Sequence, residues 1–402
     1  MFRTNSNLQH NHETHQFLAE YEICYAKLKS DVDKTSTSVR ELHKSYIRRM
    51  SREAAGLMSF DNVKGTLNRI RRLKMPPCHS INDLDQLLNE NDFVFNNYGM
   101  VRQKAFYNGS ISGQMFFSNP ELIANLEPNF SLFVDGTFNV VPYNQEQLLV
   151  VMATLLDKPR PIVFVIMSHR TEAIYTEVFR FIKNVIFPVN KCFYSPQTVS
   201  LDFEMAMRNA VRNIWPQINV SGCNFHFCQA LRRKASTIDY LFEAIERSPK
   251  HKEILMMFMR SSLLPLEMVY DGIDAIKNVI ENDSELLESY QEFINYFNYT
   301  WINRYPPTEW CVSGQRYRTN NHVEGYNSKI KKWIPINPSP FKFLESLQDL
   351  AYDADAEFQN AKLKSIVYKD SSRLTPHLHA LLPKLQEGII DELEFVSMMA
   401  SV

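Results

Sequence analysis

Glycine is scarce in this chain, with 11 residues in 402, whereas phenylalanine and tyrosine number 27 and 18. A fold made of strands and tight turns needs more of the residue that reaches positive φ without strain, so a helix-rich architecture is expected. No apolar run reaches the roughly 20 residues that span a bilayer, and the opening "MFRTNSNLQHNHETHQ" has no apolar signal-peptide core. These absences point to an intracellular protein that does not enter a membrane. The six cysteines (Cys24, Cys78, Cys192, Cys223, Cys228 and Cys311) follow no disulfide framework. Neither a G-x-S-x-G elbow nor a Walker A loop occurs, and no internal repeat or low-complexity tract is present.

What is present reads as globular. Apolar content of 45% and charged content of 22% place the chain away from disorder, and 402 residues suffice for one large or two to three ordinary domains. The net charge of −1 conceals a gradient. Between Lys27 and Lys74 there are thirteen Lys/Arg against five Asp/Glu, whereas "ENDSELLESYQEF" at 281–293 is acidic. A basic flank of this kind suits a polyanion or a solvated helix face, and charge alone does not separate them.

Residues 1–16 are polar and His-rich and are expected to lack order. Helical patterns fill 17–74, broken at "TSTSV" and stopped by Pro76 and Pro77. Ser80 with Asp83 three residues on predicts a capping box. The period then changes. "LFVDGTFNVV" (132–141), "QLLVVMATLLD" (147–157) and "PIVFVIMS" (161–168) read as three strands whose short links suit antiparallel neighbours. An amphipathic helix at 171–187 follows, then the strand "TVSLDFE" (198–204), a helix, and "INVSGCNFHF" (218–227), a strand running into a helix. The predicted order is β-β-β-α-β-α-β-α, with helices only from about 230 to 310, a helix near "TNNHVEGYNSKIKKW" and a mostly helical tail.

Three carboxylates carry the chemistry. Asp135 lies inside an apolar strand, where alternation puts Leu132, Val134, Phe138 and Val140 on one face and Asp135, Thr137 and Asn139 on the other. A desolvated carboxylate needs a basic side chain, backbone N–H groups or a metal ion. Asp202 ends a short strand where a helix begins, a position that serves either a ligand site outside the strand ends or a helix cap. Glu324 falls beside the stripe Val323, Tyr326, Ile330 and Trp333, close to Asn320, Asn321, Asn327 and Lys331 in helical projection. Two strand carboxylates and one helix carboxylate are what a pair of Mg²⁺ ions about 4 Å apart requires for in-line displacement at phosphorus.

Lesser candidates surround them. Cys223, His226 and Cys228 offer three soft ligands within six residues; without a fourth, a hydrogen-bonded structural pair is expected in preference to zinc. Trp301 and Trp310 in "TWINRYPPTEW" could stack a base or pack a core. Arg316 and Arg318, with Asn320 and Asn321 beside them, could contact DNA.

"FVDGTF", "SLDFE", "GCNFHFCQALRR" and "RTNNHVEGYNSKI", in this order, resemble the transposase domain of Mutator-like elements (MULE) over about 125–335. The resemblance implies an α/β RNase H-like mixed sheet, three antiparallel strands then parallel ones, with a helical insertion at about 230–310. Outside that span, the helical patterning gives a helical, partly basic N-terminal region at 17–124 and a helical C-terminal region at 336–402. The resemblance assigns Asp135, Asp202 and Glu324 as catalytic, Mg²⁺- or Mn²⁺-binding carboxylates, and matches Cys223 and His226 to the family's C-x-x-H element. Implied too are DNA cleavage at element ends and strand transfer by the freed 3′-hydroxyl, with DNA as partner, a homo-oligomer on that DNA, and a nuclear location. The alternative is a domesticated DNA-binding or transcription-regulatory protein that no longer cuts. His10 and His12 resemble the end of a FLYWCH-type zinc finger whose earlier part is missing.

Deleting residues 1–76 is expected to flatten the dependence of DNA affinity on salt, by about 0.9 in log–log slope for each phosphate no longer neutralised. An unchanged slope in a binding titration would refute a role for the basic flank.

Overall fold

β-Branched and aromatic runs build the centre of the molecule, because such side chains fill a pleated surface buried on both faces. The structure, a computed structural model, describes residues 16–32, 34–35, 37–74, 78–90, 106–318, 321–364 and 374–402. His10, His12 and Asn320 lie outside these residues. The chain divides into two units, 1–104 with 338–348, and 105–337 with 349–402.

In the first unit, the helices Gln16–Asp31, Val39–Ile47, Arg52–Leu57 and Phe60–Lys74 close over Leu28, Val32, Val39, Met58, Val63 and Leu67. The break at "TSTSV" is held by Arg71, whose guanidinium donates to the carbonyls of Val32, Thr35 and Thr37. One of the basic residues of the flank is therefore committed to the fold. The expected capping box is present: Ser80 Oγ accepts from Asp83 N (3.1 Å), and Asp83 Oδ2 accepts from Ser80 N (3.0 Å).

The second unit is α/β, with a mixed sheet of seven strands: β1 (Tyr107–Ile111), β2 (Gln114–Ser118), β3 (Ser131–Thr137), β4 (Gln147–Leu155), β5 (Lys158–Met167), β6 (Thr198–Leu201) and β7 (Asn219–Gly222). Their spatial order is β1-β2-β5-β4-β3-β6-β7. Strands β1 to β5 pair antiparallel, whereas β3–β6 and β6–β7 are parallel. The three-then-two arrangement β5-β4-β3-β6-β7 is consistent with an RNase H-like fold. The hairpin β1–β2 was not expected; it joins the sheet to a stretch that the sequence assigns to the helical N-terminal region. No described helix is long and apolar enough to cross a membrane.

One sheet face, carrying Leu132, Val134, Leu149, Val151, Val163 and Val165, packs on the helices Glu172–Phe181 and Met205–Ile214. The opposite face carries Phe133 and Asp135, and the helix Asn321–Trp333 lies on it, with Tyr326 against Phe164 at 6.2 Å between ring centres. Strand β3 ends earlier than the apolar pattern suggests, because Asn139 takes a positive φ of 66°. Phe138 is consequently exposed under the guanidinium of Arg170 instead of buried beside Leu132 and Val134.

The all-helical stretch after β7 builds a second core around Phe227, Phe258, Phe293, Phe297, Trp301 and Trp310. Leu378, Leu385, Phe395, Val396 and Met399 of the C-terminal helices complete that same core. The C-terminal helices thus join the insertion instead of standing as a separate region from 336. Where the last strand meets this insertion the fit is close. A Cβ on Gly222 would stand 2.4 Å from the Phe203 ring and 2.7 Å from the Glu309 carbonyl oxygen. Gly222→Ala is expected to cost about 1–3 kcal/mol in chemical denaturation; an unchanged midpoint would contradict this contact.

Candidate active site

Strand register aligns the first two carboxylates. In the parallel pair β3–β6, Leu132 lies level with Val199 and Phe133 with Ser200. Two residues further along each strand stand Asp135 and Asp202, side by side on chains about 4.8 Å apart. In the pair β6–β7, Leu201 lies level with Gly222, and the next residues are Asp202 and Cys223. The N–H of Cys223 donates to the Leu201 carbonyl (2.9 Å), continuing the ladder. Asp135, Asp202 and Cys223 therefore form one row across three parallel strands, on the face that Phe133 shares.

Asp135 is held from two sides. Its Oδ1 accepts from the Gly136 N–H and its Oδ2 from Asn327 Nδ2, each at 2.9 Å. Burial, then the charge of Asp202, pushes its pKa up to about 7, against the weaker pull of those hydrogen bonds and of Lys331. Asp202 does not cap the following helix, which begins at Met205 with Glu204 at its N-cap. Its Oδ1 accepts from the Glu204 N–H (3.0 Å), and Arg208 Nη1 donates to its backbone carbonyl (3.2 Å). Arg208 is fully buried and ion-paired with Glu309, which also takes Arg212. The Asp202 turn thus rests on a buried guanidinium.

Glu324 enters from the Asn321–Trp333 helix, one turn before Asn327. Burial raises its pKa; His226 opposes that shift and Asp135 adds to it. Glu204, half-buried beside Asp202, is also raised, first by burial and then by Asp202, and it accepts from the Tyr175 hydroxyl at 3.2 Å. Four acidic groups therefore meet here. Among the described residues, no Lys or Arg forms an ion pair with Asp135, Asp202 or Glu324. No described ion pair offsets Asp135, and the Gly136 N–H, the Asn327 amide and the charge of Lys331 together do not outweigh its burial and the charge of Asp202. Glu324 Oε1 and Asn327 Oδ1 are buried without a hydrogen-bond partner. Hard oxygen donors with uncompensated charge and orphaned lone pairs fit a divalent cation such as Mg²⁺.

The remaining candidates separate. Cys223 and His226 meet Glu324, and their ligand atoms all lie within 4.8 Å of one another. Cys228 does not join them; its thiol faces Asn224 Oδ1 (3.4 Å) and the Met259 carbonyl, and burial pushes its pKa up to about 11. Arg316 is exposed and paired with Asp157 at 2.7 Å, and Arg318 donates to Thr375. Asn321 opens the Asn321–Trp333 helix. Trp301 and Trp310 take the core-packing alternative: both are buried in the helical core, and Trp310 stacks on Phe227 with 4.7 Å between ring centres. Trp333 corrects in the other direction, being exposed where Ile334 takes its core position. Sequence reasoning missed Glu204 and the Arg208–Glu309 support; the only local signal was an acid two residues after Asp202.

Residues 131–230 match the family model of the MULE transposase domain. The matched segment runs from the first residue of β3 into the helix after β7, so it contains Asp135, Asp202, Cys223 and His226, and Glu324 lies beyond it. No curated protein matches the chain.

Asp135 gives the site a pH signature. Its carboxyl titrates at about 7 in the fold against an ordinary 3.8, so the unfolded chain releases this proton first as pH rises. Between those values the native state loses up to about 1.4 kcal/mol per pH unit, a loss complete above 7 and absent below 3.8. Asp135→Asn is therefore expected to raise the thermal midpoint at about pH 8 and to change it little at about pH 4. Millimolar Mg²⁺ is expected to raise the wild-type midpoint at the higher pH only. Equal midpoints for wild type and variant across this range would contradict the clustered charge.

Proposed function

We propose that this chain is a transposase-derived DNA-processing enzyme that cleaves phosphodiesters and transfers strands at a centre formed by Asp135, Asp202 and Glu324. The observation that carries this reading is the register row that sets Asp135 beside Asp202, with Glu324 close enough for Asp135 to raise its pKa. The MULE match over 131–230 supports DNA as the partner. The cofactor is Mg²⁺ or Mn²⁺, the working form is a homo-oligomer on DNA, and the location is the nucleus.

The protein's own contribution is placement. Gly136 and Asn327 fix both oxygens of Asp135, and Arg208 fixes the backbone of Asp202. Glu324 keeps its Oε1 uncommitted. When bound, the cation supplies Lewis acidity at the scissile phosphate and offsets the charge that these carboxylates crowd together. The exposed Lys331 and Lys332 on the Asn321–Trp333 helix, and Arg232 and Arg233 on the Asn224–Ser236 helix, offer positive charge to a phosphate backbone. Water is the nucleophile for cleavage and the freed 3′-hydroxyl for strand transfer; neither step needs a protein nucleophile.

Incubation with supercoiled plasmid and a 3′-hydroxyl duplex in Mg²⁺ or Mn²⁺ tests this. The expected result is metal-dependent nicking and joining that Asp202→Asn reduces to background without loss of DNA binding. DNA binding equal in both proteins, with no nicking under either metal, would overturn the enzyme and leave a domesticated DNA-binding protein.

A further inference from the structure

The third carboxylate has a second set of neighbours. Cys223 follows β7 and stands at the N-cap of the Asn224–Ser236 helix, and His226 lies in the first turn of that helix. The sequence offers Cys228 as their third ligand, but in the fold that thiol faces Asn224 and the Met259 carbonyl instead. The fold supplies a third from a distant helix: Glu324 brings a carboxylate oxygen to within 4.8 Å of both the Cys223 thiol and the His226 ring.

We propose that Cys223, His226 and Glu324 form a mixed sulfur–nitrogen–oxygen site for a borderline-soft divalent cation of the Zn²⁺ class, distinct from the hard-oxygen pair Asp135 and Asp202. Three observations carry it. First, His226 Nε2 and Glu324 Oε1 are 3.8 Å apart, too far for a hydrogen bond. That spacing is close to the roughly 3.6 Å edge of a tetrahedron with bonds near 2.2 Å. Second, Glu324 Oε1, the oxygen that faces His226 Nε2, is buried without a hydrogen-bond partner, so its lone pairs are unspent. Third, Cys223 is buried at a helix N-terminus, where the backbone N–H groups favour the thiolate that a soft cation binds.

Three protein ligands leave the fourth tetrahedral position open, as in reactive zinc sites and not in closed structural ones. Glu324 then belongs to two donor sets: its carboxylate is shared between the soft corner and the aspartate pair. Such a centre holds different ions at its two ends. Mg²⁺ prefers the all-oxygen end, and a thiolate with an imidazole selects Zn²⁺ or Co²⁺ at the other. The inference stands apart from DNA cleavage, since it uses one residue of the proposed triad and is read without a substrate.

Co²⁺ titration of the full, chelator-treated chain tests it. One equivalent is expected to produce a thiolate-to-Co²⁺ charge-transfer band in the near ultraviolet and intense visible bands of a tetrahedral ion. One equivalent of Zn²⁺ should bleach both, and excess Mg²⁺ should not. Cys223→Ser should abolish the charge-transfer band, and Glu324→Gln should weaken Co²⁺ binding about tenfold or more. Cys228→Ser and Asp202→Asn should leave the spectrum intact, the latter separating this site from the aspartate pair. Absence of a charge-transfer band in the wild-type chain would overturn the proposal. So would a band that survives Cys223→Ser, or one that excess Mg²⁺ displaces.

Discussion

Repulsion between two carboxylates on adjacent parallel strands is the constraint from which the rest of this centre follows. Asp135 and Asp202 are level because β3 and β6 pair in that register, and no described lysine or arginine neutralises them by an ion pair. An arrangement that raises the Asp135 pKa to about 7 disfavours the charged native state. Such strain is common where function requires it, since a site poised for a cation holds its ligands in place before the cation arrives. Glu324 and Glu204, both shifted upward at the same place, enlarge the cluster.

The scaffold that bears this strain comes largely from outside the sheet. Arg208 reaches from the Met205–Ile214 helix to the Asp202 carbonyl and to Glu309, near the end of the helical insertion. Tyr305 donates its hydroxyl to the Phe203 carbonyl, and Phe203 itself lies between the Trp301 ring and the Gly222 backbone. The residue after Asp202 is therefore clamped by the insertion, which gives an otherwise unexplained helical stretch a role in positioning. Asn327 does the same for Asp135 from the opposite side.

Much of this was legible in the sequence, and the misses have physical causes. The apolar runs marked β3, β4 and β5, and the period change marked the helices around them, because burial on one or both faces imposes those periods. The five-residue strand Tyr107–Ile111 was missed because a run containing Asn, Gly and Ser carries little β signal, and Gln114–Ser118 because its apolar run is only three residues long. Trp301 and Trp310 are core residues whose aromatic character alone allowed two readings, and burial decides between them. Asp135, Asp202 and Glu324 stood out as carboxylates in apolar or asparagine-rich settings. The Cys223–His226–Glu324 grouping did not, because it depends on where a helix about a hundred residues downstream comes to rest, which no local spacing encodes.

The titration of Asp135 tests the central claim most directly. With ¹³C-labelled aspartate, the Asp135 carboxyl is expected to titrate at about 7 in the metal-free chain, and to fall by about two units or more in saturating Mg²⁺ as the cation offsets the neighbouring charge. A midpoint near the ordinary 3.8 without metal, or one that Mg²⁺ leaves unmoved, would contradict the account.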